Sequence, residues 1–169
     1  MTDMEIQNDS PANNLCKSCG LCCTGHLFTW TILRSAELDD IQDLGVNVIR
    51  EPRQRGFSQP CPLWDGVCTV YTAPHYPNFC RTYKCKLLKE LLNESISPAS
   101  AQKDVQQTKK LIAELESRLP PSSNANFRER FIACLESESV EPELQKKAKK
   151  LLIVYEKKFG VKDLTDNSG

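Results

Sequence analysis

Clustered cysteines constrain this chain more than any other feature of its sequence. Residues 16–23 read Cys-Lys-Ser-Cys-Gly-Leu-Cys-Cys, so four cysteines stand at C-x2-C-x2-C-C spacing. A second, more widely spaced group follows between residues 61 and 85. Thiolates are the soft ligands that iron–sulfur clusters and zinc prefer. We therefore expect both groups to meet around metal, with the ligands Cys16, Cys19, Cys22, Cys23, Cys61, Cys68, Cys80 and Cys85.

The rest of the composition favours metal ligands over disulfides. The first residues are polar and slightly acidic, unlike a secretory signal, and no apolar run approaches the ~20 residues of a membrane span. We therefore expect a cytoplasmic protein, in which thiols stay reduced. The odd count of nine cysteines also disfavours a fully paired disulfide framework. Because 22 Lys and Arg balance 22 Asp and Glu, we expect no nucleic-acid partner, and the lack of a long apolar run leads us to expect no membrane partner.

Two kinds of metal centre fit the spacing. A C-x2-C-x2-C run, here Cys16, Cys19 and then Cys22 or Cys23, can bind three corners of a 4Fe–4S cluster while one remote cysteine completes it. Alternatively, four cysteines bind one zinc ion tetrahedrally. Eight cysteines can thus make one cluster plus one zinc site, two zinc sites, or one site with spare thiols. Spacing alone does not choose among these arrangements, and we favour iron–sulfur slightly for the first run.

Other side chains are candidates for supporting roles. Three arginines can compensate the negative charge of metal-bound thiolates or contact an anionic ligand, unless they are simply solvated: Arg53, Arg55 and Arg81. His26 and His75 are expected near the metal or at the surface rather than as ligands. Cys134 is expected to be a buried structural thiol on an apolar helical face. Five aromatic residues are expected to exclude water from the metal: Trp30, Trp64, Tyr71, Tyr76 and Tyr83.

The patterns predict an α+β protein that is mostly α. In the first half we expect a strand over 28–33, a short helix over 35–44, a loop over 46–60 and a β-hairpin over 61–71. The hairpin prediction rests on Asp65-Gly66, a favoured two-residue turn. From residue 86 onward, apolar residues step by three and four, which predicts three or four packed helices. Ser97-Pro98 is a helix start signal, and Gly160 is predicted to end the last helix.

These expectations divide the chain into four parts. Residues 1–15 are predicted to be a disordered lead-in, and 16–96 a cysteine-cluster metal-binding domain that begins with a turn-rich loop over 16–23. Residues 97–160 are predicted to be a helical region, and 161–169 a C-terminal tail.

Three separated motifs resemble those of a known family. They are the C-x2-C-x2-C-C run from Cys16, then Cys61-Pro62-Leu63-x-Asp65-Gly66-x-Cys68-x2-Tyr71, and then Pro77-x2-Cys80-Arg81-x-Tyr83-x-Cys85. In this order they resemble the CxxCxxCC family of zinc- or iron-chelating domains, the YkgJ-like cysteine-cluster proteins. The resemblance covers residues 16–85 and implies a metal-chelating domain. One relative in that family, the flagellin lysine-N-methylase, implies that such a domain can support methyl transfer to protein lysines.

Three functional hypotheses follow. The first is a metal-binding module that transfers electrons or senses redox state. The second is an iron–sulfur enzyme that modifies a protein substrate, such as a lysine N-methyltransferase. The third is an interaction protein in which zinc is structural and the helices bind a protein partner. The sequence does not decide whether the chain is an enzyme.

Overall fold

The computed structural model, which describes residues 10–123 and 125–162, is mostly helical with one small antiparallel sheet. The predicted fold class, α+β and mostly α, is therefore confirmed. The helices surround a continuous apolar core, and the sheet covers a second, smaller core beside the cysteines.

The first cysteine segment, residues 16–23, is helical over its first half. Helix α1, Pro11–Cys19, begins at Ser10, whose hydroxyl accepts a hydrogen bond from the Asn13 amide at 3.1 Å. Proline at the first helical position suits this start because its missing N–H would be unbonded there anyway. The prediction of a lead-in up to residue 15 and a loop from residue 16 is thus wrong for 11–19. Residues 1–9 lie outside the described part of the chain.

The sheet has three strands, β1 (Trp30–Ile32), β2 (Ile49–Glu51) and β3 (Gln54–Ser58), in the order β1-β3-β2. The strand predicted over 28–33 is confirmed. The loop predicted over 46–60 is wrong, because β2 and β3 form a hairpin in which Glu51 pairs with Gln54.

A short helical segment joins β1 to β2, as predicted. It comprises a 3-10 turn, Ser35–Glu37, and helix α2, Leu38–Asp43. Leu38 and Ile41 are buried and pack with Phe57 of β3 in the smaller core, which Cys61 and Leu63 border.

The hairpin predicted over 61–71 does not form a strand pair. Only an isolated bridge joins Trp64 to Cys68, and the rest of the segment consists of turns. The amides of Cys61 and Cys68 donate instead to the carbonyls of Cys23 and Lys17, at 2.7 and 3.0 Å. Long-range backbone hydrogen bonds to the first cysteine segment therefore take the place of the hydrogen bonds that a local hairpin would make.

Five helices complete the described chain: α3 (Asn78–Thr82), α4 (Lys86–Leu92), α5 (Pro98–Arg118), α6 (Phe127–Glu136) and α7 (Pro142–Phe159). Ser97 caps α5, and Gly160 ends α7 with φ of 76°, both as the sequence indicated. Helix α3 was not predicted.

One core joins the cysteine segment to the helical region. Leu21 and Leu27 belong to the same buried cluster as Leu115 of α5 and Leu151 of α7. Helix α1 packs against both α4 and α5. The first cysteine segment is consequently held by helices that follow it by some 70 residues or more, and its position does not depend on local sequence alone.

Candidate metal centre

All eight cysteines between residues 16 and 85 line one cavity. It has a volume of about 70 Å³ and lies between α1, α3, α4 and the segment that follows β3. Four chain segments contribute cysteines to its wall: α1 with the turn after it, residues 61–68, α3, and the residue before α4. The structure thus brings together every cysteine that the sequence nominated: Cys16, Cys19, Cys22, Cys23, Cys61, Cys68, Cys80 and Cys85.

A sharp turn after α1 aims the first four cysteines at this space. Gly20 adopts the left-handed conformation, with φ of 73°, and ends the helix. The amides of Thr24 and Gly25 then bond back to Gly20 and Cys22. The chain therefore curls around the cavity within a few residues, so that Cys22 and Cys23 line it as well as Cys16 and Cys19 of α1.

Backbone N–H groups favour the thiolate form of several of the cysteines. The amides of Leu87 and Leu88, in the first turn of α4, act to lower the pKa of Cys85. The amides of residues 63–64 and 70–71 act in the same way on Cys61 and Cys68. The amide of residue 21 does so on Cys19. Such N–H bonds favour the thiolate over the thiol and tune the properties of iron–sulfur clusters.

Burial opposes charge on the thiols. It is the main reason that the pKa of Cys16 and of Cys80 rises to about 12, and that of Cys19 to about 11. The neighbouring cysteines raise the pKa of Cys16 and Cys80 further, since thiolates repel one another. A cation bound among these sulfurs would offset both effects, and its binding would release protons.

Cys23 and Cys68 influence each other's pKa in opposite directions. The interaction between their side chains raises the pKa of Cys23 and lowers that of Cys68. Lys17 adds a positive charge that further lowers the pKa of Cys68.

No family model, curated protein or solved structure matches this chain. The resemblance to the CxxCxxCC family therefore stays a prediction, and the site is interpreted from its own residues. In the described part of the chain, no helix combines the length and apolar character that a membrane crossing requires.

The donor set fits a soft metal centre. Every ionisable side chain on the cavity wall is a cysteine or a tyrosine, and the remaining wall is largely apolar. All-thiolate sets bind zinc or iron–sulfur clusters. Among residues 10–123 and 125–162, no three or more His, Cys, Asp or Glu side chains already form a group that could hold a metal ion. The thiols thus surround a common space without converging on one point.

Three of the five predicted aromatic residues line the cavity. The Tyr71 hydroxyl donates to the Asn13 side chain at 2.9 Å, and the Tyr76 hydroxyl donates to the Cys80 carbonyl at 3.1 Å. Tyr83 packs edge-on against Phe28, which also lines the wall. Trp64 lies against Gly20 outside the wall.

None of the three predicted arginines lies on the cavity wall. Arg53 is exposed, and Arg55 donates to the Ser35 hydroxyl. Arg81 is exposed and lies over the ring of Tyr76, with 5.7 Å from the guanidinium carbon to the ring centroid.

The cations that act on the thiols are lysines and not the predicted arginines. The charges of Lys17, Lys89 and Lys109 lower the pKa of Cys68, Cys85 and Cys19, respectively. Lys17 and Lys89 are close to cysteines in the sequence, but Lys109 belongs to α5. Its amine donates to the Ser18 carbonyl at 3.2 Å, a contact that no sequence signal indicated.

The remaining candidates lie away from the cavity wall. The His26 Nδ1 atom is 3.1 Å from the Tyr155 hydroxyl, and its ring packs edge-on against Phe127. His75 is exposed, with Nδ1 3.2 Å from an Asp40 carboxylate oxygen. Cys134 is buried in the main core, as predicted.

Proposed function

We propose that this protein binds metal through its eight clustered cysteines, with an iron–sulfur cluster as the favoured occupant and electron transfer or redox sensing as its role. One observation carries the proposal: cysteines from four separate chain segments line the same cavity. These eight thiols are partly buried, and thiolates would repel one another there. A bound cation or cluster would offset that repulsion and so favour the thiolate form that binds metal.

Access from the surface supports a redox role. Cys16 and Cys80 also line a neighbouring surface pocket, whose rim carries Arg81 and Lys84. An electron donor or acceptor at this pocket would be close to the sulfurs. We propose a cytoplasmic location, because thiols there stay reduced and available to metal.

Metal analysis of anaerobically purified protein tests the proposal. We expect iron and acid-labile sulfide together with broad visible absorbance that bleaches on reduction. Cys19→Ser should lose metal, whereas Cys134→Ser should retain it, because Cys134 lies in the helical core and not on the cavity.

The outcomes separate the alternatives. Colourless protein with stoichiometric zinc would keep metal binding but refute the redox role. Folded protein that retains neither iron nor zinc after anaerobic reconstitution would refute the proposal altogether. Equal metal loss in Cys19→Ser and Cys134→Ser would also refute it, because the loss would then not depend on the cavity.

A further inference from the structure

The surface pocket beside the cysteine cavity has the size of a small-molecule site. Its volume is about 320 Å³, within the range of about 300–1,000 Å³ that such sites occupy. A molecule held there would lie against the wall that also encloses the thiols. The described residues that line both spaces are Cys16, Tyr71, Tyr76, Cys80, Tyr83 and Leu88.

The surface pocket carries positive charge. Arg81 and Lys84 are exposed on its wall, and none of the described residues that line it is acidic. Within the described part of the chain neither cation forms an ion pair, whereas Arg50, Arg118 and Lys147 each pair with a carboxylate. Two cations without a carboxylate partner at one pocket favour an anionic ligand.

Contacts with Tyr76 hold the Arg81 guanidinium beside the surface pocket. The guanidinium carbon is 5.7 Å from the centre of the Tyr76 ring, and Nη2 donates to the Tyr76 carbonyl at 3.4 Å. This arrangement leaves N–H donors that can bind an acidic group in the forked geometry typical of arginine. Lys84, on the same wall, adds a compact second charge.

The rest of the wall suits an apolar ring. The rings of Tyr71 and Tyr76 lie 5.1 Å apart, measured between their centroids. Both hydroxyls already bond to protein groups, so these tyrosines offer a ligand mainly their rings. Leu92 is apolar but 48% exposed, and a molecule in the surface pocket would remove part of its side chain from water.

We propose that the surface pocket binds a small anionic molecule with a planar apolar body, its acidic group on Arg81 and Lys84 and its ring on the tyrosines. This inference deepens the proposed redox function, on which its meaning rests, by naming the class of molecule that approaches the metal centre. The binding itself requires only the pocket wall and its two cations.

Fluorescence titration of the purified, folded protein with anilinonaphthalene sulfonate tests the proposal. This probe is a planar anion, and phenylnaphthylamine is its uncharged relative without the sulfonate. We expect Arg81→Gln/Lys84→Gln to weaken binding of the anion by about tenfold or more, because the sulfonate loses both cations. Binding of the uncharged relative should change by less than about twofold, since the rings of the wall remain.

The matched control is Arg53→Gln/Lys103→Gln. It removes the same two charges from exposed side chains that do not line the surface pocket. At physiological salt, distant exposed charges are screened, so this variant should bind the anion within about twofold of the wild type. Equal weakening by the two double variants would mean that net charge alone attracts the anion, and would overturn the proposal.

Alkylation of the thiols gives a readout that needs no substitution. Cys16 and Cys80 line the surface pocket, whereas Cys23 and Cys61 line only the cysteine cavity. In the full chain, reduced and freed of metal, saturating anion should slow alkylation of the first two several-fold and leave the other two unchanged. Mass spectrometry measures each rate, and equal slowing of all four, or of none, would overturn the proposal.

These results are separable from those on metal. Protein that holds neither iron nor zinc but binds the anion through Arg81 and Lys84 would refute the proposed function and support the surface pocket as a site. Metal-loaded protein that does not bind the anion, or binds it without dependence on the two cations, would overturn this inference and leave metal binding intact.

Discussion

At the scale of single residues, Gly20 determines how the chain turns from α1 into the cavity. Its φ of 73° is costly for other residues, and a Cβ atom there would lie 2.2 Å from the Trp64 ring. We expect Gly20→Ala to lower the free energy of unfolding by about 2–4 kcal/mol, from backbone strain plus displacement of the indole. Urea denaturation measures this change.

Gly66 provides the matched control for Gly20. It has nearly the same φ, 71°, but no atom lies within 4 Å of the position that a Cβ would take. Gly66→Ala should therefore cost only the backbone strain, about 1 kcal/mol. Equal losses in the two variants would show that the contact with Trp64 does not matter.

His26 makes stability depend on pH. Burial lowers its pKa from 6.5 to about 4, so between these values the unfolded chain binds more protons than the folded one. The contribution of the neutral imidazole to the free energy of unfolding is fully present above pH 6.5. It is lost as the pH falls towards 4, by about 2 kcal/mol for a partly exposed ring. We expect denaturant titrations at matched metal content to show a shallower acid loss for His26→Gln than for the wild type.

Tyr155→Phe is the control for the His26 prediction. It removes the hydroxyl that lies 3.1 Å from His26 Nδ1 but leaves the imidazole buried and titratable. The pH slope should therefore stay close to that of the wild type, whatever the change in overall stability. Parallel curves for wild type and His26→Gln would contradict the assignment of the slope to His26.

At the scale of elements, two helices begin with the same Ser-Pro signal but differ in their relation to the cavity. Ser10 caps α1, which carries Cys16 and Cys19, and Ser97 caps α5, which carries no cysteine. In each case the serine hydroxyl accepts an amide three residues on, at 3.1 Å. We expect Ser10→Ala and Ser97→Ala each to cost about 1 kcal/mol of stability.

Metal retention should distinguish these two variants. Fraying of α1 moves two cysteines, so Ser10→Ala should lose metal faster than the wild type to a competing chelator, whereas Ser97→Ala should not. Identical rates of metal loss would show that the start of α1 does not help to hold the site.

The elements that could be predicted from the sequence are those set by local signals. The Ser97-Pro98 start, the Gly160 end and apolar spacing indicated the later helices correctly. The hairpin was predicted in the wrong place because Asp65-Gly66 is a local turn signal, whereas the segment around it bonds to residues 17 and 23. The actual hairpin turns at Pro52-Arg53, which lacks the glycine or asparagine that usually marks such turns.

At the scale of the whole molecule, the sequence predicted which cysteines gather but not what surrounds them. Cysteine spacing is a chemical signal, and the eight residues that it nominated all line the cavity. The nearby cations follow from tertiary packing, which places Lys109 of α5 close to Cys19 and leaves Arg53 exposed. A contact between residues some 90 positions apart has no local pattern that a single sequence could reveal.

The same packing predicts an uneven response to removal of metal. Between β3 and α4 the described chain holds only the short helix α3, one isolated bridge and irregular turns. Helices α5 and α7, in contrast, bury an apolar face that includes Leu115 and Leu151, both with 0% exposure. We expect amides in 59–85 of the metal-free protein to lose about tenfold or more of their protection from hydrogen exchange, equivalent to ~1.4 kcal/mol, while α5 and α7 keep theirs.

Hydrogen exchange with mass spectrometry of metal-loaded and metal-free protein measures this difference directly. Helix α1 should respond in between, because its cysteines face the cavity while Ala12 packs in the main core. Equal loss of protection in 59–85 and in α5 would mean that metal stabilises the whole chain as one cooperative unit. Unchanged protection throughout would mean that backbone bonds such as Cys61 to Cys23 hold the cysteine segments in place without metal.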